Sequence, residues 1–284
     1  MVKYVNLAGT VIRICADDGW MPEDLGAMKP FVTEPQAYDR EILFDVVETL
    51  SQPCGVCIFT GNGRKVYCTE DGYISYVGSE ETTLDGAYLR MARQEQRSSV
   101  EVKKTVLRGR LTSTVILDAM EAEHLTVSND GFILHSSYIS HEDGAILFTA
   151  PSGTGKSTQA ALWEKHRGAE IINGDRSVIR IREAAVEAWG VPFSGSSGIC
   201  KARTLPLKAI VCLAQAPVTT IRRISGVQAF RLLWEGCSFQ PWNREDVERC
   251  SETLLKVIAQ VPVFYLACTP DESAVIALEQ ALRK

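Results

Sequence analysis

The chain has few histidines and no long apolar run. Only four of its 284 residues are histidine, and no cluster with the ligand spacing of a transition-metal site appears. No segment approaches the ~18 apolar residues that a membrane-spanning helix needs. The sequence also has no internal repeat and no low-complexity linker. These absences argue against a zinc-type metal centre, an integral membrane protein and a repeat architecture.

The chain also lacks a concentrated block of positive charge. Its net charge is −5 and its pI is about 5.5, whereas a nucleic-acid footprint requires a dense basic surface. The most basic run extends from Arg90 to Arg110, but its cations are spaced out, with only Glu95 and Glu101 between them. We interpret it as a solvated face, and we expect neither a nucleic-acid partner nor a membrane partner.

The N-terminal stretch MVKYVNLAGTVIRICADD carries a lone Lys3 and an interrupted apolar segment, unlike the long apolar core of a signal peptide. Nine cysteines are scattered along the chain, some within apolar runs such as IVCLA and YLACT. This pattern is typical of buried thiols in a reducing compartment. We therefore expect a cytoplasmic protein.

The chain predicts two parts of different character. Residues 1–110 contain short β-rich segments separated by turn signals, with Asn62-Gly63 as a hairpin turn and a helix expected in AYDREILFDVVETLS. Residues 111–284 contain strand-like and helix-like segments in succession. The expected class is α/β (α+β): a β-rich N-terminal domain over residues 1–110, followed by a domain of strands and helices over residues 111–284.

The stretch ILFTAPSGTGKSTQAALW matches the pattern Gly-x-x-x-x-Gly-Lys-[Ser/Thr] between Ala150 and Ser157, with Ala150 in place of the first glycine. An apolar strand precedes the loop and a helix follows it, as this phosphate-binding motif requires. The glycines let backbone N–H groups face anionic oxygens, and the lysine adds a cation. The predicted nucleotide-binding residues are Ser152, Gly153, Thr154, Gly155, Lys156, Ser157 and Thr158.

Asp175 ends the strand-like segment AEIINGD, nineteen residues after Lys156. We expect that strand to lie directly beside the strand before the loop, with Asp175 at the same sheet edge. A carboxylate there would bind Mg²⁺ together with the Ser157 hydroxyl, or accept a proton from an attacking hydroxyl. Aspartate after a strand is also a common turn residue.

These features resemble the HPr kinase/phosphorylase catalytic domain, whose fold is shared with phosphoenolpyruvate carboxykinase. The resemblance covers about residues 130–270. It rests on Gly155-Lys156-Ser157, on Gly174-Asp175-Arg176 in place of the family's Asp-Asp-Arg, and on His135, which stands where the family carries a histidine. EAWGVP, beginning at Glu187, matches a downstream Glu-x-x-Gly segment more loosely.

The resemblance implies that residues 111–284 form a P-loop kinase-like domain, and it implies roles for these residues. Asp175 would be the catalytic carboxylate, assisted by His135 or Glu187. Arg176 would contact phosphate or pair with a surface carboxylate. FSGSSGICKAR would be a mobile lid carrying Lys201 and Arg203, or a plain surface loop. Two departures, Gly174 for the first aspartate and Trp189 for an expected arginine, would mark a different substrate or a lost reverse reaction.

The leading hypothesis is an ATP-dependent kinase that uses Mg²⁺ and transfers the γ-phosphoryl group to a hydroxyl of a protein, peptide or small molecule. One alternative is a nucleotide-binding accessory protein without transfer activity, which Gly174 favours. A second alternative is a small carboxykinase-like enzyme, which would need a further metal site and an arginine cluster. A homo-oligomer is left open.

Overall fold

The computed structural model describes residues 1–61, 63–70, 72–77, 88–94, 96–107 and 111–283. Helices and strands are mixed along the chain, which confirms the α/β class. The chain divides into two compact units, Met1–Ala122 and Glu123–Lys284. This division falls later in the chain than the expected boundary at 110/111. Independent folding of the two units stays a prediction.

The first unit is built on one nine-stranded sheet. Its order is β3-β1-β2-β4-β9-β8-β7-β6-β5. Buried and partly buried residues alternate along β2, as expected for a strand with one buried face. The β-rich character predicted for this half is confirmed. The strands are β1 (Val2–Leu7), β2 (Thr10–Ala16), β3 (Val32–Thr33), β4 (Arg40–Val47), β5 (Val56–Gly61), β6 (Arg64–Thr69), β7 (Gly72–Val77), β8 (Tyr88–Gln94) and β9 (Arg97–Lys103).

The prediction of a helix in AYDREILFDVVETLS is wrong, because Arg40–Val47 of this segment forms strand β4. β4 is parallel to both β2 and β9, and Ile42 pairs in register with Ile14 on one side and Ser98 on the other. Ile42 and Phe44 are both buried, as residues two apart on one sheet face should be. Two flanking strands therefore decide the conformation of a segment whose composition also suits a helix.

Two features predicted for this unit, the hairpin at Asn62-Gly63 and the basic run, include residues that the structure does not describe. The predicted hairpin is present as the antiparallel pair β5 and β6, in which Gly61 pairs with Arg64, but Asn62 of its turn lies outside the description. Of the basic run Arg90 to Arg110, Glu95 and residues 108–110 lie outside the description, as do the side chains of 88–94.

The segment STVILDAMEAEHL forms two short helices, α1 (Ser113–Ala119) and α2 (Ala122–Val127). The Thr112 hydroxyl accepts a hydrogen bond from the Val115 amide at 3.3 Å, which caps α1. Glu121 adopts a φ of 46° between the two helices, and this left-handed residue separates them.

The second unit contains a mixed sheet and, besides α2, four longer helices among its described residues. Strands β11, β15 and β18 run parallel in that order, and β16 adds an antiparallel edge. The long strand β10 pairs with β11 through its second half and with β13 through its first. The elements are β10 (Gly131–His141), β11 (Gly144–Thr149), α3 (Lys156–Arg167), β12 (Glu170–Asn173), β13 (Arg176–Arg182), β14 (Ala185–Gly190), β15 (Thr204–Gln215), β16 (Thr220–Ile224), α4 (Gly226–Trp234), β17 (Cys237–Ser238), α5 (Arg244–Gln260), β18 (Val263–Cys268) and α6 (Glu272–Leu282).

The strand that precedes Asp175 does not lie directly beside the strand before the loop, as we had expected from the sequence. β12, which precedes Asp175, pairs antiparallel with β10 rather than parallel with β11. β11 already has β10 on one side, joined by a tight turn at His141 and Gly144, and β15 on the other. Because both edges of β11 are taken, β12 can add only to β10.

Both faces of the parallel strands are covered by helices. Ile146 and Phe148 point to a core formed with α3 and α6, whereas Leu147 between them belongs to a core formed with α4 and α5. This alternation follows from the two-residue period of a strand. The sheet therefore positions the loop between β11 and α3 at the carboxyl ends of its parallel strands. None of the helices in the described residues is long and apolar enough to cross a membrane.

The cysteines are free thiols, and no disulfide is present among the described residues. Cys212, Cys250 and Cys268 are buried, as expected for cysteines in apolar segments. Burial raises the pKa of Cys212 to about 12. Cys54 and Cys57, in contrast, are exposed.

Candidate functional site

The predicted phosphate-binding loop connects β11 to α3. β11 ends at Thr149 and α3 begins at Lys156, with Gly155 as its N-cap. Gly153 has a φ of 78° and Gly155 a φ of 121°, conformations that side-chain-bearing residues rarely adopt. The loop therefore has the backbone freedom to turn its N–H groups towards an anion at the positive end of α3.

Lys156 stands in the centre of this loop. Its side chain is buried, and Nζ donates to the carbonyl oxygens of Ala150 at 2.9 Å and Pro151 at 3.4 Å. Burial lowers the pKa of the Lys156 ammonium, and the nearby Asp175 carboxylate raises it. Both carbonyl partners are neutral, so the ammonium charge is available to phosphate oxygens. Ser152, Ser157 and Thr158 are exposed around it.

A cleft of about 580 Å³ opens beside the loop. One wall is the loop and the first turns of α3, and the other wall is formed by the ends of β15 and β18. Its volume falls in the range of small-molecule sites. The lining residues are Gly153, Thr154, Gly155, Thr158, Gln159, Leu213, Ala214, Gln215, Ala216, Pro217, Cys268, Thr269 and Pro270.

Two glutamines in this cleft were not predicted from the sequence. Gln215 Nε2 lies 3.4 Å from the carbonyl oxygens of both Gly153 and Thr154. Gln159 Nε2 lies 3.3 Å from Cys268 Sγ, while its buried Oε1 has no hydrogen-bond partner among the residues that the structure describes. Only the meeting of α3, β15 and β18 brings them together, and no sequence motif marks that meeting.

His135 and Asp175 lie together at the mouth of the loop. His135 Nε2 is 3.4 Å from Asp175 Oδ1, and the two side chains are 38% and 30% exposed. Arg176 Nε is 3.5 Å from the other carboxylate oxygen, and Arg176 NH1 is 3.9 Å from Glu123 Oε1. The structure thus brings together three of the predicted residues, His135, Asp175 and Arg176.

The electrostatics around His135 favour its neutral form. Burial lowers the pKa of the imidazole most, and the Lys156 and Arg176 charges lower it further. The Asp175 carboxylate acts in the opposite direction and raises that pKa. A neutral imidazole beside a carboxylate can accept a proton.

The Asn173 side chain stabilises the turn that carries Asp175. This residue was not predicted from the sequence. Its buried side-chain oxygen accepts hydrogen bonds from the backbone amides of Asp175 at 2.9 Å and Arg176 at 3.0 Å. Its Nδ2 donates to the Val191 carbonyl at 2.7 Å. Asn-Gly-Asp is a turn signal of this kind, so the sequence contained a marker for this residue.

The two ends of the segment predicted as a lid, FSGSSGICKAR, contact different residues. Near its start, the Arg176 guanidinium lies over the Phe193 ring at 5.3 Å, and a side chain added at Gly195 would meet the Asp175 carboxylate within 3 Å. Near its end, Lys201 and Arg203 both pair with Glu170. The first end therefore contacts the candidate catalytic residues, while the two predicted lid cations are held away by a carboxylate.

Gly174 stands where the resemblance implies another aspartate. A Cβ at this position would lie 2.1 Å from Ser197 Oγ and 2.7 Å from Ser197 Cβ. Ser197 Oγ donates to the Ser194 carbonyl at 2.7 Å, which holds it there. A serine of the lid segment therefore fills the space that a side chain at position 174 would need.

The structure does not bring Glu187 to the other candidates. Glu187 lies on β14 opposite Arg180 of β13, four residues along that strand from Arg176, a separation of about 13 Å at the usual rise per residue. Its carboxylate accepts a hydrogen bond from Trp189 Nε1 at 3.2 Å. The register of the sheet therefore places Glu187 apart from Asp175.

The phosphate-binding loop and the turn after β12 carry oxygen atoms that could bind Mg²⁺. Mg²⁺ is usually held by one or two protein oxygens, together with substrate phosphates and water. The exposed Ser157 hydroxyl on the first turn of α3 and the partly exposed Asp175 carboxylate supply such ligands. No group of three or more His, Cys, Asp or Glu side chains in the described residues could hold a metal ion alone. The donor set therefore fits a cation that arrives with a nucleotide.

No protein-family model matches this chain, and neither does any curated protein sequence. Among solved structures, the HPr(Ser) kinase/phosphatase from Coxiella burnetii matches with a TM-score of 0.29 and 11% sequence identity. The match covers 53% of this chain and 88% of that chain. Similarity at this level carries no argument about activity.

Proposed function

We propose that residues 123–284 form a phosphotransferase that moves the γ-phosphoryl group of ATP to a hydroxyl acceptor. The observation that carries this proposal is the position of His135 and Asp175 at the mouth of the Lys156 loop. A phosphate cradle alone would fit any nucleotide-binding protein. A proton-accepting pair beside it is what transfer to a hydroxyl requires in addition.

In the proposed nucleotide complex, the loop amides and Lys156 hold the phosphates. The lysine exchanges its contacts with the Ala150 and Pro151 carbonyls for phosphate oxygens. The base and ribose occupy the cleft lined by Gln159, Gln215 and Thr269. Mg²⁺, held by Ser157 and Asp175, would neutralise phosphate charge.

In the proposed reaction, the acceptor oxygen forms a bond to the γ-phosphorus while the bond to the bridging β–γ oxygen breaks, leaving ADP. The acceptor proton passes to the Asp175 carboxylate, with neutral His135 as its neighbour. Arg176 is close enough to Asp175 to orient it or to contact the transferred group. The remaining contribution is positioning and charge stabilisation.

A second candidate function is a nucleotide-binding accessory protein without transfer activity. It is favoured by Gly174, because Ser197 occupies the space of the first aspartate that the family resemblance implies. A carboxykinase-like reaction has less support, since it would need a further metal site. A cytoplasmic location and a homo-oligomer stay predictions from the sequence.

The deciding experiment is a transfer assay with γ-labelled ATP against a panel of peptides, proteins and small hydroxyl compounds, alongside calorimetry with Mg-ATP. The phosphotransferase proposal expects nucleotide binding together with label transfer that depends on Asp175. Tight ATP binding without label transfer to any acceptor would favour the accessory protein instead. Absence of ATP binding by the folded protein would contradict both.

A further inference from the structure

A second cavity lies at the opposite end of the parallel strands from the loop. Its volume is about 740 Å³, within the range of small-molecule sites. It shares no lining residue with the cleft beside the loop. Its apolar wall includes Ile146, Trp163, Phe264 and Leu282.

Basic side chains predominate among the charged residues around this cavity. Lys208, Arg222, Arg223 and Arg283 line it, with Glu142 and Glu279 as the carboxylates. Positive charge gathered at one cavity contrasts with the net charge of −5 for the whole chain.

Three of these cations have no carboxylate partner among the described residues. The Lys208 ammonium donates to the backbone carbonyl of Glu142, and the Arg222 guanidinium donates to the Gln228 side-chain oxygen at 2.9 Å. Arg223 is exposed, and within the described part of the chain it has neither an ion pair nor a side-chain hydrogen bond.

Each of the two carboxylates at the cavity already lies close to a basic side chain. Glu279 pairs with Arg167 at 2.9 Å and with Arg283 at 3.1 Å. Glu142 Oε1 lies 3.8 Å from His141 Nε2. The Arg222 guanidinium also lies over the Tyr265 ring at 5.0 Å, so the positive charges of Lys208 and Arg223 are the ones left to solvent or to a bound anion.

From this arrangement we propose that the cavity binds a small organic anion: a carboxylate, sulfonate or phosphate on an apolar body. The anionic group contacts Arg223 and Lys208, and the apolar body packs against Phe264 and Leu282. Charge-assisted hydrogen bonds to arginine are the strong ones in such sites. This inference does not depend on the proposed phosphotransferase activity.

The site lies behind the phosphate-binding loop. Ile146 belongs to β11, the strand that leads into the loop, and Trp163 belongs to α3, the helix that leaves it. The ring of His141 stands edge-on to Trp163 with centroids 5.0 Å apart and closes this wall. Ile146 and Trp163 are themselves fully buried, so an occupant would lie next to these two elements without contacting either residue.

The test uses 8-anilinonaphthalene-1-sulfonate, a fluorescent anion with an aromatic body, titrated into the full chain. We expect saturable binding at one site that survives saturating Mg-ATP, because the two cavities share no residue. Arg223→Glu should weaken binding at least ~10-fold, since it replaces a cation at the anionic group with a like charge. The control Arg244→Glu changes charge equally at an exposed helix residue that does not line the cavity, and should bind like the unaltered protein.

A second variant separates cavity filling from charge. Ala281→Trp places a large side chain in the cavity without altering the cations, and should abolish probe binding while circular dichroism shows an intact fold. The proposal is overturned if the unaltered chain shows no saturable binding or if Mg-ATP displaces the probe. It is also overturned if Arg244→Glu weakens binding as much as Arg223→Glu, or if a folded Ala281→Trp variant binds normally.

Discussion

His135 Nε2 lies 3.4 Å from Asp175 Oδ1, across the boundary between β10 and the turn after β12. The two residues are brought together because β10 pairs with β13 up to His135 and with β12 from Tyr138 onwards, so that the turn between β12 and β13, which carries Asp175, lies beside His135. This contact places a titratable pair at the entrance to the phosphate-binding loop. It allows the electrostatics of the site to be tested without knowing the acceptor.

The pKa of His135 should respond in opposite directions to two substitutions. Asp175→Asn removes the charge that raises this pKa and should lower it further, whereas Lys156→Ala removes a charge that lowers it and should raise it. NMR titration of labelled histidines would measure both changes, with the other three histidines as internal references. Equal titration of His135 in all three proteins would contradict the proposed geometry.

The sign of the pH dependence follows from the lowered pKa of His135. The folded state disfavours the imidazolium, so the unfolded chain binds a proton more readily below the ordinary value of 6.5. The stability contribution of this group is therefore present above that pH and lost as the pH falls through the lowered pKa. His135→Gln should reduce this pH dependence in denaturant-unfolding experiments, and an unchanged dependence between pH 5 and 7 would speak against a lowered pKa.

Lys156→Ala should weaken Mg-ATP binding at least ~10-fold, because a charge-assisted contact contributes about 1.5–3 kcal/mol. Calorimetry measures the affinity. Lys165→Ala is the matched control, since Lys165 is an exposed lysine near the other end of the same helix. Unchanged affinity in a folded Lys156→Ala protein would exclude this loop as the nucleotide site.

Asp175→Asn should retain nucleotide binding and lose transfer by at least ~100-fold, because loss of a general base is typically worth about 10²–10⁴-fold in rate. Asp143→Asn, at the exposed turn between β10 and β11, makes the same chemical change away from the loop. Near-normal transfer by the Asp175 variant to a validated acceptor would move the proton-accepting role to His135.

Gly174→Asp should destabilise the second unit by about 1–3 kcal/mol, the usual cost of overpacking. Its Cβ would meet Ser197 Oγ and Cβ at 2.1 and 2.7 Å. Ser197→Gly in the same chain should recover part of the loss, a coupling that thermal unfolding of the single and double variants would reveal. Gly19→Asp, with open space around it, is the control. Additive effects of the two substitutions would indicate that Ser197 does not fill this space.

Mg-ATP should slow hydrogen exchange in Ser152 to Thr158 and in Phe193 to Ile199. Smaller changes are expected at Lys201 and Arg203, whose amides already donate to the Ile172 and Lys201 carbonyls. Peptides from residues 1–110 should be unaffected, because no phosphate-binding candidate lies there. Protection confined to that first part would overturn the assignment of the nucleotide to the second unit.

Several features of this protein were determined by its sequence alone. The loop between Ala150 and Ser157, the flanking β11 and α3, and the left-handed Gly168 that ends α3 follow from local patterns. Glycine spacing, a cap and an apolar period act over a few residues. The β-rich character of the first unit came from the same kind of signal.

Only the tertiary structure decided the rest. β4 is a strand rather than a helix because β2 and β9 pair with it from both sides. β12 joins β10 because β11 has no free edge, and the register of β13 and β14 separates Glu187 from Asp175. Gln159 and Gln215 share a cleft, and Ser197 fills the space at Gly174, through contacts between distant segments. Strand pairing and close packing depend on which partners the whole chain supplies, and no local pattern records that choice.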